Sequence, residues 1–207
     1  MKIIEPSYEI LYPVTTQEWQ REFKLIELAG RTAYKSEEKI DDYSFVSFIK
    51  QIKKRGHGAV LEFGNMIVKF VTDRGITHEL VRHRLCSFIQ ESTRYCNYSQ
   101  NKFGNELTFI KPSMYFNDGG CWEHAMNLAE EYYFEQINEN NQTPQEARAI
   151  LPNSLKTEIV VKANFREWMH IFDLRVLGKT GAPHPDMKKL MLPLYEYLVE
   201  TSPFLWE

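Results

Sequence analysis

Met66-Ile67-Val68-Lys69-Phe70-Val71-Thr72, then Asp73-Arg74-Gly75, then Ile76 through Arg84 is the stretch that decides the fold class. The first seven residues are β-branched and aromatic, the composition of a half-buried strand. Asp73-Arg74-Gly75 turns the chain, and Ile76 to Arg84 reads as helical. Strand, turn and helix in immediate succession imply a sheet with helices packed on it.

The flanking sequence repeats this mixture. Upstream, Ile3–Ile4 and Ile10–Leu11 read as short strands, and a helix opens near Thr16 with Trp19, Phe23 and Ile26 at helical spacing, running towards Tyr34. A second helix is expected from an Asp41 or Asp42 cap to a stop at Gly56, behind Lys53, Lys54 and Arg55. Downstream, Leu107–Ile110 is a strand, Trp122–Ile137 a long helix, and Thr143-Pro144 opens a shorter helix through Leu151. Thr157–Lys162 reads as a strand, Asn164–Leu177 and His184–Val199 as helices. No repeat, low-complexity tract or Pro/Ser/Gly-rich linker divides the 207 residues, so a single domain over 1–207 of class α/β or α+β is expected.

Composition narrows the function classes. The net charge of -3 argues against bulk nucleic-acid binding. No apolar run approaches the roughly 20 residues that span a bilayer. Met1-Lys2-Ile3-Ile4-Glu5-Pro6 is too short and polar for a secretory signal. Three cysteines, Cys86, Cys96 and Cys121, lack metal spacing and suit free thiols in a reducing cytoplasm.

Against that acidic background, Arg82-His83-Arg84-Leu85-Cys86-Ser87-Phe88-Ile89-Gln90-Glu91-Ser92-Thr93-Arg94-Tyr95 concentrates three arginines, a histidine and several hydroxyls among apolar residues. Guanidinium stays charged and presents a planar fork of donors, so a cluster set among apolar side chains points to a bound anion such as phosphate.

Three other motifs fail on spacing. His78 and His83 are five residues apart around Glu79, not the four a zinc hydrolase needs, which rotates them about 140° on a helix, so no metal site is expected. Gly178-Lys179-Thr180 resembles the tail of a phosphate loop, but Asp173 stands where the first glycine is required. No Gly-x-Gly-x-x-Gly occurs, which argues against a Rossmann dinucleotide site. Cys86 and Cys96 read as small packed side chains rather than nucleophiles, and His57, between two glycines, reads equally as a site or a turn residue.

Arg82-His83-Arg84, seven residues, then Ser92 resembles the signature of the flavin-dependent thymidylate synthases. Further pieces follow in that family's order: Gly56-His57 and Leu61-Glu62 before it, then Ala147-Arg148 with Leu151-Pro152, Asn164-Phe165-Arg166, and Leu174-Arg175. The resemblance covers nearly the whole chain. It implies the family's own α/β (α+β) fold, a central mixed or antiparallel sheet with flanking helices, assembled as a homotetramer whose active sites are shared between subunits. It implies methylation of dUMP to dTMP with 5,10-methylenetetrahydrofolate as one-carbon donor and FAD reduced by NADPH, without an enzyme cysteine nucleophile.

Carried over position by position, the resemblance implies that Arg82, Gln90, Glu91, Ser92, Thr93, Arg94, Arg148 and Arg175 serve dUMP, and Glu79, about one helical turn before Arg82, is placed to orient its guanidinium at the same site. It assigns FAD to Arg82, His83, Arg84, Gln90, Asn164, Phe165, Arg166 and His170. Arg175 is the catalytic candidate, a fixed positive charge facing the uracil ring. Two departures stand out: Phe63 where many members have His, and Gln90 where Glu is common. Competing readings are a nucleotide- or RNA-binding module, a metal hydrolase using His78 and Glu79, and a degenerate member that binds FAD or dUMP without turnover.

Overall fold

Thr15 starts the first long helix by a reciprocal cap. Its hydroxyl accepts from the Glu18 amide while the Glu18 carboxylate accepts from the amides of Val14 and Thr15, so donors with no helical partner are satisfied. The computed structural model describes residues 1–207. In chain order the strands are β1 (Lys2–Ile4), β2 (Ser7–Tyr12), β3 (Asn65–Asp73), β4 (Ser87–Gln90), β5 (Thr108–Ile110) and β6 (Lys156–Asn164). The helices are α1 (Thr16–Tyr34), α2 (Ser44–Lys54), α3 (Arg74–Leu80), α4 (Cys121–Asn138), α5 (Pro144–Ala147), α6 (Phe165–Arg175), α7 (Pro185–Thr201) and α8 (Pro203–Trp206). Four strands form a sheet in the order β2-β3-β6-β4, and β1 pairs in parallel with β5 in a second sheet. The expected mixture of sheet and helix is present, and no helix is long and apolar enough to cross a membrane.

In β3 burial alternates strictly, with Met66, Val68, Phe70 and Thr72 inside. β6 buries Thr157, Ile159, Val161 and Ala163 with the same period. The chain divides into two compact units. One comprises residues 1–7, 70–82 and 89–159, the other 8–69, 83–88 and 160–207.

The first unit packs Leu107, Phe109, Trp122, Met126, Tyr133 and Leu155 into one core. Its buried Leu107 amide donates to Glu130 at 2.7 Å, and the Met1 ammonium pairs with the other Glu130 oxygen at 2.8 Å. In the second unit Phe23 and Ile26 of α1 and Phe45, Ile49 and Ile52 of α2 are buried, with Phe204 edge-on to Phe23 at 5.0 Å. α6 adds Phe165, Trp168, Ile171 and Phe172. Trp168 is fully buried, yet its indole N–H donates to the Met66 carbonyl at 3.1 Å, so its bulk is buried with its polar atom satisfied. Truncation of such a residue to Ala costs about 3–5 kcal/mol.

Three local expectations need correction. The helix expected from Thr143-Pro144 through Leu151 stops at Ala147 and tightens into a 3-10 turn over Arg148–Ile150. The helix expected over Ile76–Arg84 runs Arg74–Leu80, because Asp73 accepts from the Ile76 amide and starts it early. The arginine segment therefore lies beyond the helix, and it divides into a turn and strand β4 rather than forming one block. α2 begins at Ser44, later than an Asp41 or Asp42 cap implies, although Asp41 still accepts from the Ser44 amide at 2.7 Å. Gly56 takes φ +70° just past α2, a conformation that favours glycine, so the expected stop falls where the chain needs it.

Candidate active site

The second unit holds the histidine of the arginine-rich segment. His83 is 5% exposed. Its Nε2 accepts from Nε of Arg175, at the end of α6, at 3.1 Å. Its Nδ1 faces Oε1 of Glu167 at 3.6 Å. The His170 ring stands edge-on to it, with centroids 5.9 Å apart. Burial, then the Arg175 charge, then His170 push the His83 pKa down to about 4, so the imidazole is neutral at neutral pH. The contact with Glu167 is therefore an N–H facing a carboxyl oxygen and not an ion pair. Burial also raises the pKa of Glu167.

α6 positions these groups through its start. Asn164 caps it, its Oδ1 accepting from the Glu167 amide at 2.9 Å. Arg166, on the exposed side of the same turn, pairs with Glu62 at 2.6 Å. Gly58 lies against it, and a Cβ there would sit 3.1 Å from the guanidine Nε, within the range where the arginine must give way. Phe165 is a different case. Its side chain is fully buried against Trp19 and Trp206, and its amide donates to the Gly64 carbonyl. The reading of Phe165 as a cofactor ligand thus finds a core residue, which supports the turn that carries Asn164 and Arg166. Arg84 is exposed, and His57 lines a cleft of about 360 Å³ with Arg31, Tyr34 and Arg55. Phe63 is 58% exposed.

The first unit holds the residues matched to the nucleotide other than Arg175. Arg82, Arg94 and Arg148 are exposed, and the Arg94 guanidinium lies over the Tyr95 ring at 5.2 Å. Ser92 Oγ accepts from the Arg94 amide at 3.3 Å, and Thr93 is buried. The Arg82 amide donates to the Glu79 carbonyl; Glu79 itself is half-buried. Gln90 uses its side-chain amide as a donor to two buried hydroxyls, Thr77 at 2.9 Å and Thr157 at 3.2 Å. A carboxylate there could only accept, so Gln at this position fits its neighbours as a donor.

Glu91 is occupied on every side. Tyr98 donates to Oε1 at 2.9 Å, Lys156 to Oε2 at 3.0 Å, and its amide donates to the Glu158 carbonyl. Lys156 also reaches Glu158 at 2.7 Å. Burial alone would lower the Lys156 pKa, but bonds to Glu158 and Glu91 outweigh it and the net shift is upward. Glu91 therefore braces the segment that carries Ser92 and Arg94, and its carboxylate is committed within the protein.

Cys86 is half-buried, and burial, reinforced by the Glu167 charge, pushes its thiol up to about 12. Such a thiol holds almost no thiolate at neutral pH. The phosphate-loop resemblance also resolves, since Lys179 pairs with Asp173 at 2.8 Å.

A family model described as thymidylate synthase complementing protein matches residues 15–204. The chain belongs to this family. Among the relatives of this thymidylate synthase complementing protein family member, the flavin-dependent thymidylate synthase of Corynebacterium glutamicum is 31% identical over 201 residues, covering 85% of this chain and 76% of its own. That of Pyrococcus furiosus is 32% identical, covering 79% and 66%. A UMP/dUMP methylase from Streptomyces cacaoi, solved with 5-Br dUMP, superposes with a TM-score of 0.77 at 18% identity, covering 99% of this chain and 95% of that one. Thymidylate Synthase X from Helicobacter pylori, solved with FAD and dUMP, gives 0.74 at 19% identity and covers 98% and 97%. At these identities the two structures establish likeness of fold, and the family membership establishes an enzyme family.

Sequence reading missed Glu167. Its one signal is position: three residues after the Asn164 cap it looks like a capping glutamate. Lys156 and Tyr98 were missed as well: Lys156 is 65 residues from its partner Glu91, and Tyr98, though only seven away, meets it through a turn with no regular spacing.

Proposed function

We propose that this chain methylates dUMP reductively to dTMP, with 5,10-methylenetetrahydrofolate as one-carbon donor and FAD reduced by NADPH. The observation that carries the reading is the 3.1 Å hydrogen bond between His83 of the signature and Arg175, 92 residues later. Two segments matched independently to the family thus meet in one contact at a buried imidazole.

The donor set fits the ligands. FAD carries a pyrophosphate, and Arg84, Asn164, Arg166 and His170 offer the cations and polar groups that such an anion requires, while the buried, neutral His83 holds Arg175. When bound, FAD would supply the hydride. The chain's residues do the rest. Arg82, Ser92, Thr93, Arg94 and Arg148 bind the nucleotide, with Gln90 and Glu79 beside them. Glu91 fixes their segment through Lys156 and Tyr98. Arg175, oriented by its bond to His83, holds positive charge where negative charge develops on the pyrimidine. The protonated Cys86 thiol supports a route without a cysteine nucleophile.

Residues 1–207 would serve as one catalytic domain, a reading supported by a family match running from 15 to 204. Assembly as a homotetramer in the cytoplasm belongs to the same proposal. It is supported by Leu85, Ile89 and Tyr95, which are 75%, 78% and 74% exposed within the signature segment and invite cover by another subunit.

The test is anaerobic. The purified chain is reduced with NADPH and FAD, supplied with dUMP and methylenetetrahydrofolate, and assayed for dTMP. Product is expected. Flavin reduction without dTMP would indicate a member that has lost methyl transfer, and failure to bind flavin would favour a nucleotide-binding module.

A further inference from the structure

We propose that Glu167 is a positioning residue for this site, acting on Arg175 through the ring of His83. The inference rests on the reading of Arg175 given above, and it adds a residue that the family signature does not supply.

His83 and Glu167 are both enclosed, with side chains 4% and 7% exposed. Because Nε2 of His83 accepts from Arg175, the single proton of the neutral ring sits on Nδ1, directed at Glu167. Moving that proton to Nε2 would set two N–H groups against each other and turn the guanidinium away. The fork of an arginine is planar, so anchoring Nε fixes where its other donors point. Glu167 thus selects the tautomer, the tautomer anchors Nε, and Nε aims the charge. An acidic residue holding an imidazole in its working tautomer is a familiar way of preserving a histidine's function.

A second observation comes from the helix itself. Glu18, three residues after the Thr15 cap, closes a reciprocal cap on α1. Glu167 stands at the same position after Asn164, but Asn164 accepts from its amide while its carboxylate turns to His83. The local use of a glutamate at this position gives way to a contact with the signature histidine. The other groups around His83 do not substitute for it: His170 meets the ring edge-on, and the Cys86 thiol stays protonated.

The test compares the full chain with Glu167→Met, which fills the space without an acceptor, and Glu167→Gln, whose amide oxygen can still accept. Nitrogen-15 labelled histidine reports the His83 tautomer by NMR in the protein alone. Wild type is expected to carry the proton on Nδ1, Glu167→Met to shift it towards Nε2, and Glu167→Gln to keep it. Turnover should fall about 10–100-fold in Glu167→Met, with much of it restored in Glu167→Gln. An Nε2 proton in wild type, or an unchanged tautomer and rate in Glu167→Met, would overturn the proposal. If Glu167→Met fails to fold, wild type and Glu167→Gln still decide by their tautomers. A wild-type chain that makes no dTMP would sink the functional reading, while the tautomer measurement would judge Glu167 independently.

Discussion

Glu91 and Glu167 are enclosed carboxylates beside matched site residues, yet their surroundings differ in kind. Glu91 meets a cation and a phenol, Lys156 at 3.0 Å and Tyr98 at 2.9 Å, and its negative charge is compensated on the spot. Glu167 faces an imidazole that carries no charge at neutral pH. The first arrangement is a brace, because each carboxylate oxygen already has a donor from within the protein and the charge already has its cation. The second is a poised group, because its partner passes the effect on to Arg175. A carboxylate's proximity to a site therefore says little about its role; the charge state of its partners says more.

The largest effect expected separates the two regions at once. Arg175→Ala should lower turnover by about 10²–10³-fold, as loss of one preorganised donor does, while the midpoint of denaturant unfolding moves little. A rate within a few-fold of wild type would break the claim that the His83 region is the poised one.

The next effect depends on pH. His83 has a depressed pKa in the folded chain, so its contribution to stability is complete above the unfolded value near 6.5 and is lost as pH falls towards about 4. The full shift corresponds to about 3 kcal/mol as an upper figure. Glu167 works in the opposite sense, since its raised pKa favours the folded chain at low pH and that contribution fades as pH rises. Comparing wild type with His83→Gln isolates the histidine: wild type should lose stability relative to the variant between pH 6.5 and 4. Parallel pH profiles would contradict a buried neutral His83.

Lys156→Met tests the brace. It leaves Glu91 half-buried with only Tyr98 as side-chain donor, and unfolding free energy should drop by about 1–3 kcal/mol. Flavin binding, measured by absorbance, should hold. If flavin binding is lost while stability is kept, Glu91 and Lys156 are ligands and the contrast with Glu167 collapses. The smallest effect is expected for Cys86→Ala, which should leave turnover largely intact because the protonated thiol takes no part; a dead variant would restore the cysteine as a nucleophile.

Much of this could be read along the chain. The alternation in Met66–Thr72, the Asn164 cap and the stop at Gly56 are local physics, decided by side-chain period, by hydrogen bonds to neighbouring amides and by a positive φ. The spacing Arg82-His83-Arg84 to Ser92 carried the family, and the match over 15–204 agrees with it. The helix end before Arg82 was less legible, because β4 claims the later part of that segment through sheet pairing.

The assignment of partners was not legible at all. Phe165 lies between two polar site residues in sequence, yet its ring goes to the core because Trp19 and Trp206 surround it. Gln90, Glu91 and Glu167 are three similar side chains in the sequence, and each takes its role from residues brought to it by folding: two threonine hydroxyls, a lysine with a tyrosine, and a histidine. The elements and the chemistry on offer follow from local sequence, since period and capping act over a few residues. Which charge is compensated and which is poised follows from folding, because a pKa depends on groups that can lie far away in sequence, as Arg175 lies 92 residues from His83.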